Sequence, residues 1–346
     1  MSAINGVPAN GSIELAPLVA RLRQLGGIQG KNAIQRPAAH FPHQPFADLG
    51  PAAALGDDAA LLPASSGQLL LASEGMDPDL IERDPWFAGW CGVLVNLSDI
   101  AAMGGRPLAL VNSLWCREAD RAEPVLAGLQ AAAARFGVPV VGGHTNLSSP
   151  YDALAVAVLG TADGPVLSAR FARPGDACVL LVNTSGRMRH PDPFWDAATE
   201  ADPALLRRQL ALLPQLAESG AARAAKDISM GGLVGTAVMF CESSGCGLLL
   251  DLEAITPPGG VTLEAWLSCF PSFGFLLAVA PGHGEALARA VAASDTGPAT
   301  TLLCQPIGRF TAEPGVRLQA GGIAEILWHG SEALTGFTAL APPLGG

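Results

Sequence analysis

No stretch of this chain stays apolar for the roughly 18 residues that would cross a bilayer, and runs such as Phe275 to Ala280 end far sooner. The start shows no charged, apolar and small-residue leader, so the expectation is a cytoplasmic protein with no membrane contact. Basic residues are scarce: 20 Lys and Arg face 31 Asp and Glu, a net charge of −11, without the basic clusters that phosphate backbones demand. That excludes nucleic acid as the expected partner. The seven cysteines, at 91, 116, 178, 241, 246, 269 and 304, have no C-x-x-C or other zinc spacing. An odd number scattered among apolar residues predicts reduced, buried thiols in place of a disulfide framework.

What the chain does hold is a set of short polar strings between apolar segments. Leu55-Gly56-Asp57-Asp58-Ala59-Ala60-Leu61-Leu62 sets two adjacent carboxylates between a turn glycine and a strand-like run. Such a pair is either a solvated turn or part of a site for a hard divalent cation, which takes oxygen ligands and usually brings phosphate with it. In Asn96-Leu97-Ser98-Asp99-Ile100-Ala101-Ala102-Met103 the Asn and Asp lie three apart, on one face of a helix. Asp84-Pro85 starts that helix, and Gly104-Gly105 with Pro107 stops it. Val138-Pro139-Val140-Val141 runs as a strand into Gly142-Gly143-His144-Thr145, where glycines let the backbone approach a ligand. Asp227-Ile228-Ser229-Met230-Gly231-Gly232 precedes an apolar helix reaching about Ser243, whose N-terminus offers free N–H groups to a phosphate.

In this order the four strings resemble the superfamily of aminoimidazole ribonucleotide synthetase (PurM-like), selenophosphate synthetase, thiamine-monophosphate kinase and the hydrogenase-maturation carbamoyl dehydratase. The likeness runs from about Leu55 to Val279 and looks most like an aminoimidazole ribonucleotide synthetase-related protein of open substrate. It implies ATP and Mg²⁺ as cofactors, a small-molecule substrate, and a homodimer. By the same resemblance Asp58, Asp99 and Asp227 are the catalytic candidates. Asp57, Asp58, Ser73, Glu74, Asp99 and Asp227 are the metal candidates, and Asn96, Gly142, Gly143, His144, Thr145 and Ser229 the nucleotide-binding ones. Lys31, in an N-terminal segment of the kind that covers nucleotide in relatives, either closes on phosphate or belongs to a solvated linker.

The sequence also departs from the named activities. Met230 replaces the second aspartate of Asp-x-Ser-Asp-Gly, and His144 an aspartate of the kinases. The kinase's acidic substrate segment falls near Pro271 to Leu277, which is apolar, so thiamine phosphate is not the expected substrate. No reactive cysteine precedes the Gly-Asp-Asp string, and the synthetase's Gly-Thr-Asp-Gly-Val-Gly-Thr-Lys loop is missing. The function expected is ATP-dependent phosphorylation of an amide, carboxylate or phosphate oxygen of a small metabolite. A nucleotide-binding dimer with little turnover, or thiamine-monophosphate kinase-like activity, stands as the alternative.

The fold expected is α+β in two domains. Residues 1–50 read as a helix, capped by Ser12, then a mobile loop from Gly26; residues 51–164 as the nucleotide- and metal-binding domain; and residues 165–346 as a second, α/β-sandwich domain. The resemblance implies that the N-terminal strands close a barrel with those of a partner. Gly186-Arg187-Met188-Arg189-His190 is either a contact for an anionic substrate or an ordinary basic loop.

Overall fold

The computed structural model describes residues 13–41, 43–45, 47–64, 67–295 and 301–339. It opens on three helices, α1 (Leu15–Arg23), α2 (Gly26–Lys31) and α3 (Gln35–His40), the last two bridged by a 3-10 turn at Asn32–Ile34. The segment expected as a loop from Gly26 is therefore helical to His40. Glycine and proline disfavour a helix there, but tertiary contacts override them. Ile28 is buried against Gly235, and Gln35 Nε2 donates to the carbonyls of Ala333 (2.9 Å) and Leu334 (3.2 Å). No side chain caps α1 at Glu14, and Ser12 lies outside the described residues.

The next elements build the first sheet and its cover. They are β1 (Ala60–Pro63), β2 (Gln68–Gly75), α4 (Pro78–Arg83), α5 (Pro85–Ala102), β3 (Arg106–Trp115), α6 (Ala119–Phe136), β4 (Val140–Asn146) and β5 (Ala153–Ala162). The strands lie in the order β1-β2-β5-β3-β4, antiparallel except for β3 beside β4. Helix α5 starts as the sequence predicts, with Pro85 in its first turn and the Asp84 carboxylate accepting from the Phe87 N–H at 3.1 Å. It is apolar on nearly every side because it is buried between the sheet and α6. Gly89 and Gly128 let the two helices cross closely, since a methyl at either would strike the carbonyl of Val125 or Trp86.

Period-two alternation turns Leu70, Ala72, Leu110, Leu114, Leu154, Val156 and Val158 toward the helices. Leu71, Val111 and Leu159 face the other way and are exposed, and Leu108 and Val141 are exposed where the register shifts. The barrel expected from the resemblance is one shared by two chains; among the described residues of this chain no closed barrel forms, and the sheet is open with β1 and β4 at its edges.

The remaining elements build the second half: β6 (Ala177–Asn183), β7 (Arg187–Met188), β8 (Phe194–Asp196), α7 (Pro203–Glu218), β9 (Ala224–Asp227), α8 (Gly232–Ser244), β10 (Gly247–Asp251), α9 (Leu263–Ser268), β11 (Phe270–Pro271), β12 (Gly274–Val279), α10 (Gly284–Ser294), β13 (Leu302–Thr311), β14 (Gly315–Ala320) and β15 (Ile323–His329). Seven of these strands form a sheet in the order β15-β14-β10-β13-β6-β12-β9. Helices α1, α8 and α9 cover the face carrying Leu180, Val182, Leu276 and Ala278, and α7 and α10 cover the face carrying Val179, Leu181, Phe275 and Leu277. The expected mixed α+β, two-part architecture is what forms. A small sheet, β11-β8-β7, ties the halves together. Phe194 packs edge-on against Phe87 and Phe270 in the first core, while its neighbour Trp195 packs on Trp266 in the second.

Candidate functional site

The acidic strings meet where the two halves join. The loop bearing Asp57 and Asp58 is pinned by Arg170, whose guanidinium donates to the Leu55 carbonyl at 2.5 Å and to those of Ser243 and Thr338. Its Gly56 has φ +98°, and a side chain there would collide with Phe337, so glycine is required. Asp99 comes from the last turns of α5, Asp227 from the end of β9, and Glu74 from the end of β2. Glu74, Asp99 and Asp227 line one end of a cleft of about 710 Å³, with Lys31, Ser229 and Met230. Thr236 Oγ1 fixes the loop before α8, donating to the Asp227 carbonyl at 3.2 Å and accepting from the Ser229 N–H at 3.3 Å.

The two aspartates of the first string have different fates. Asp57 accepts from the Ser168 hydroxyl and from the Ala169 N–H at 3.1 Å, so both of its neighbours across the domain junction hold it as a structural cap. Asp58 pairs directly with the ammonium of Lys226 and faces the Asp227 N–H at 3.4 Å. Both partners of that pair are nearly sealed off, with side chains 6% (Lys226) and 3% (Asp58) exposed.

Burial, with Asp227, Glu74 and Asp58 adding repulsion, pushes Asp99 well above the usual carboxylate range. Burial likewise raises Asp227, against the opposing pull of Lys226 and Lys31. Burial disfavours the charge on Lys226, but the carboxylates of Asp58, Asp57 and Asp227 outweigh it and hold the ammonium above its usual range. The carboxylates of the site repel one another, and a bound cation would relieve that repulsion.

Those carboxylates fit a divalent ion in part. Among the described residues no three His, Cys, Asp or Glu side chains close into a metal cage. Mg²⁺ does not need one, because it keeps several waters and is commonly held by one or two carboxylates and the phosphates of its nucleotide. Asp99 Oδ2 and Ser229 Oγ are buried without a hydrogen-bond partner, as atoms waiting for such a complex would be.

Other expected residues are placed elsewhere. Asn96 is fully buried and turns its amide back onto the Gly92 carbonyl at 2.8 Å, away from the cleft lining. Ser73 is exposed and donates to the Val156 carbonyl of the neighbouring strand at 3.2 Å. Gly142, Gly143, His144 and Thr145 lie on the exposed edge strand β4, with His144 tilted against Trp115, and do not line the cleft. A strand-then-glycine pattern locates a turn or close approach but not which edge of the sheet it occupies. Arg189 is held by Asp84 (2.6 Å) and Asp196 (3.2 Å) over the ring of Phe87, and Arg187 pairs with exposed Glu200. The structural reading of that basic loop is the one these contacts match.

Sequence reasoning missed two features. One is Lys226, whose signal was a lone lysine after two alanines in an otherwise buried strand. The other is the cleft's apolar end, where Leu80, Phe87, Cys91, Val95, Phe194 and Phe270 converge from both halves. Nothing in their spacing announces that meeting.

The comparisons with known proteins follow the same division. The N-terminal domain of AIR synthase related proteins matches residues 56–162, and the C-terminal domain of that family matches residues 175–321. An uncharacterized protein of Synechocystis sp. is 46% identical over 326 residues, covering 94% of this chain and 99% of that one. The thiamine-monophosphate kinase of Synechococcus elongatus is 29% identical over 307 residues, covering 80% and 90%. Among solved structures, T. maritima PurL complexed with ADP gives a TM-score of 0.70 at 17% identity, over 91% of this chain and 51% of that one. The chain thus spans about half the length of that PurL. AaThiL complexed with AMPPCP and TMP gives 0.58 at 22% identity, over 78% and 88%. At such identities these two likenesses speak for the fold.

Proposed function

Since the chain belongs to the AIR synthase related proteins, we propose that it is an ATP- and Mg²⁺-dependent enzyme activating a small metabolite by phosphorylating an amide, carboxylate or phosphate oxygen. The observation that carries this reading is the convergence of Glu74, Asp99 and Asp227 from three separate elements at one end of a large cleft, with Lys31 beside them. A relative named as a kinase and related folds solved with ADP and AMPPCP support ATP as the co-substrate.

In this reading Glu74, Asp99 and Asp227 are the residues that would hold the ion, whose positive charge would offset that of the triphosphate. Lys31 lies at the same end and offsets phosphate charge. Ser229 offers its unpartnered hydroxyl to a phosphate oxygen, next to the N-terminal end of α8. The apolar end, ringed by Phe87, Phe194 and Phe270, excludes water and orients the acceptor. Strand β12 carries no carboxylate and is buried outside the cleft lining, so it lends no support to thiamine monophosphate as the acceptor. The exposed apolar face of the first sheet supports a homodimer, and among the described residues no helix is long and apolar enough to cross a membrane. A cytoplasmic location belongs to the same proposal.

A second reading, nucleotide binding with little turnover, is favoured by Met230, which puts an exposed thioether where an aspartate is expected. ADP release from ATP and Mg²⁺ in the presence of a metabolite extract separates the two. The enzyme reading expects that release to vanish in Asp99→Asn, and nucleotide affinity to fall at least about tenfold, about 1.4 kcal/mol. Equal affinity in both proteins, with and without Mg²⁺, defeats it.

A further inference from the structure

We propose that Lys226 is a built-in cation standing where a divalent ion would otherwise sit against Asp58, so that Asp58 is not a metal ligand in this protein. The inference rests on the reading above for Glu74, Asp99 and Asp227, and departs from what the Gly-Asp-Asp string alone implies.

The geometry is specific. Lys226 leaves β9, a strand buried at every residue, and its ammonium meets the Asp58 carboxylate directly. An ammonium taken out of water is tolerated only when paired and hydrogen-bonded, and Asp58 is the carboxylate that pairs with it. The alternatives are engaged elsewhere: Asp57 with Ser168 and Ala169, and Asp99 and Asp227 at the cleft. A metal ion on the same Asp58 oxygen would be forced against the ammonium, and two cations at contact distance in a buried site repel strongly. Four residues after Lys226, Met230 supplies no oxygen where the motif would place a second aspartate. Both features leave fewer oxygens for metal.

The test is Mn²⁺ binding, read by electron paramagnetic resonance and by thermal melting, with and without a non-hydrolysable ATP analogue. The first variant replaces the pair by neutral groups of similar shape, Asp58→Asn with Lys226→Met. The expected result is the wild-type number of bound Mn²⁺ ions; one ion fewer would make Asp58 a ligand and overturn the proposal. The second variant, Lys226→Met alone, frees Asp58. It should gain an Mn²⁺-dependent rise in melting temperature of about 5 °C over wild type at saturating metal, abolished when Asp58→Asn is added. A single variant with no such gain counts against the proposal. Wild type that binds no Mn²⁺ under any condition defeats the functional reading instead, and the Lys226→Met arm then decides the fate of this inference alone.

Discussion

The two sheets differ in what covers them. Every residue of β9 and β12 in the second sheet is buried, because helices lie on both faces. Strand β12 accordingly reads as an unbroken apolar run, whereas β9 ends on the buried pair Lys226 and Asp227. The first sheet has helices on one face only. Its other face presents Leu71, Val111 and Leu159 at 38% to 44% exposure, and the register sets Leu71 directly beside Leu159 on neighbouring strands. Single exposed apolar residues are ordinary, but a contiguous group marks a surface that something covers. The same alternation rule thus yields a finished layer in one half and an unfinished one in the other.

Equivalent changes should therefore have unequal results in the two sheets. Leu276→Asp puts a charge into the fully buried β12 and should cost more than about 4 kcal/mol, seen as loss of a cooperative melting transition. Val111→Asp makes the same kind of change on the open face of β3. It should leave the chain folded but weaken the proposed homodimer at least about a hundredfold, about 2.7 kcal/mol. Light scattering at micromolar concentration reads this, and a monomeric wild type would end the idea of a shared interface.

The junction between the sheets gives the smallest effect. Burial alone would raise Asp196, but hydrogen bonds from Thr199, Ala198 and Arg189 prevail and hold it below its ordinary value. A carboxylate with a depressed folded pKa adds stability above its unfolded pKa, and that stability is lost as pH falls through the folded value. Asp196→Asn should therefore cost about 2 kcal/mol at pH 7, with the gap to wild type closing below about pH 4. A gap that stays constant from pH 7 to pH 3 in denaturant titrations would show that the carboxylate's charge plays no part.

Much of the site was legible in short strings, for a local reason. Asp99 sits where a proline start and a glycine stop fix helix α5, and Asp227 just before the glycines that open α8, so sequence alone places each at the end of an element. Glu74 was legible as the end of a strand. The segment from Gly26 to His40 was misread because its helix depends on a groove made by Met230, Gly231 and Gly235, more than 200 residues away. Gly27 lies so close to the Met230 carbonyl that no larger residue fits.

By itself the sequence determined the mixed α+β, two-part architecture and which carboxylates are candidates for the site, because these follow from periodicity, caps and residue chemistry within a few positions of each other. Only the tertiary structure decided how those carboxylates are shared out. It set Asp57 to hold Ser168 and Ala169, gave Asp58 to Lys226, moved the glycines of β4 to a free edge, and left Asp99 and Asp227 open to the cleft. The physical reason is that a carboxylate's role depends on the cation or donor nearest to it. That neighbour comes from chain as distant as Asp58 is from Lys226, 168 residues apart, brought within contact only when the two halves pack.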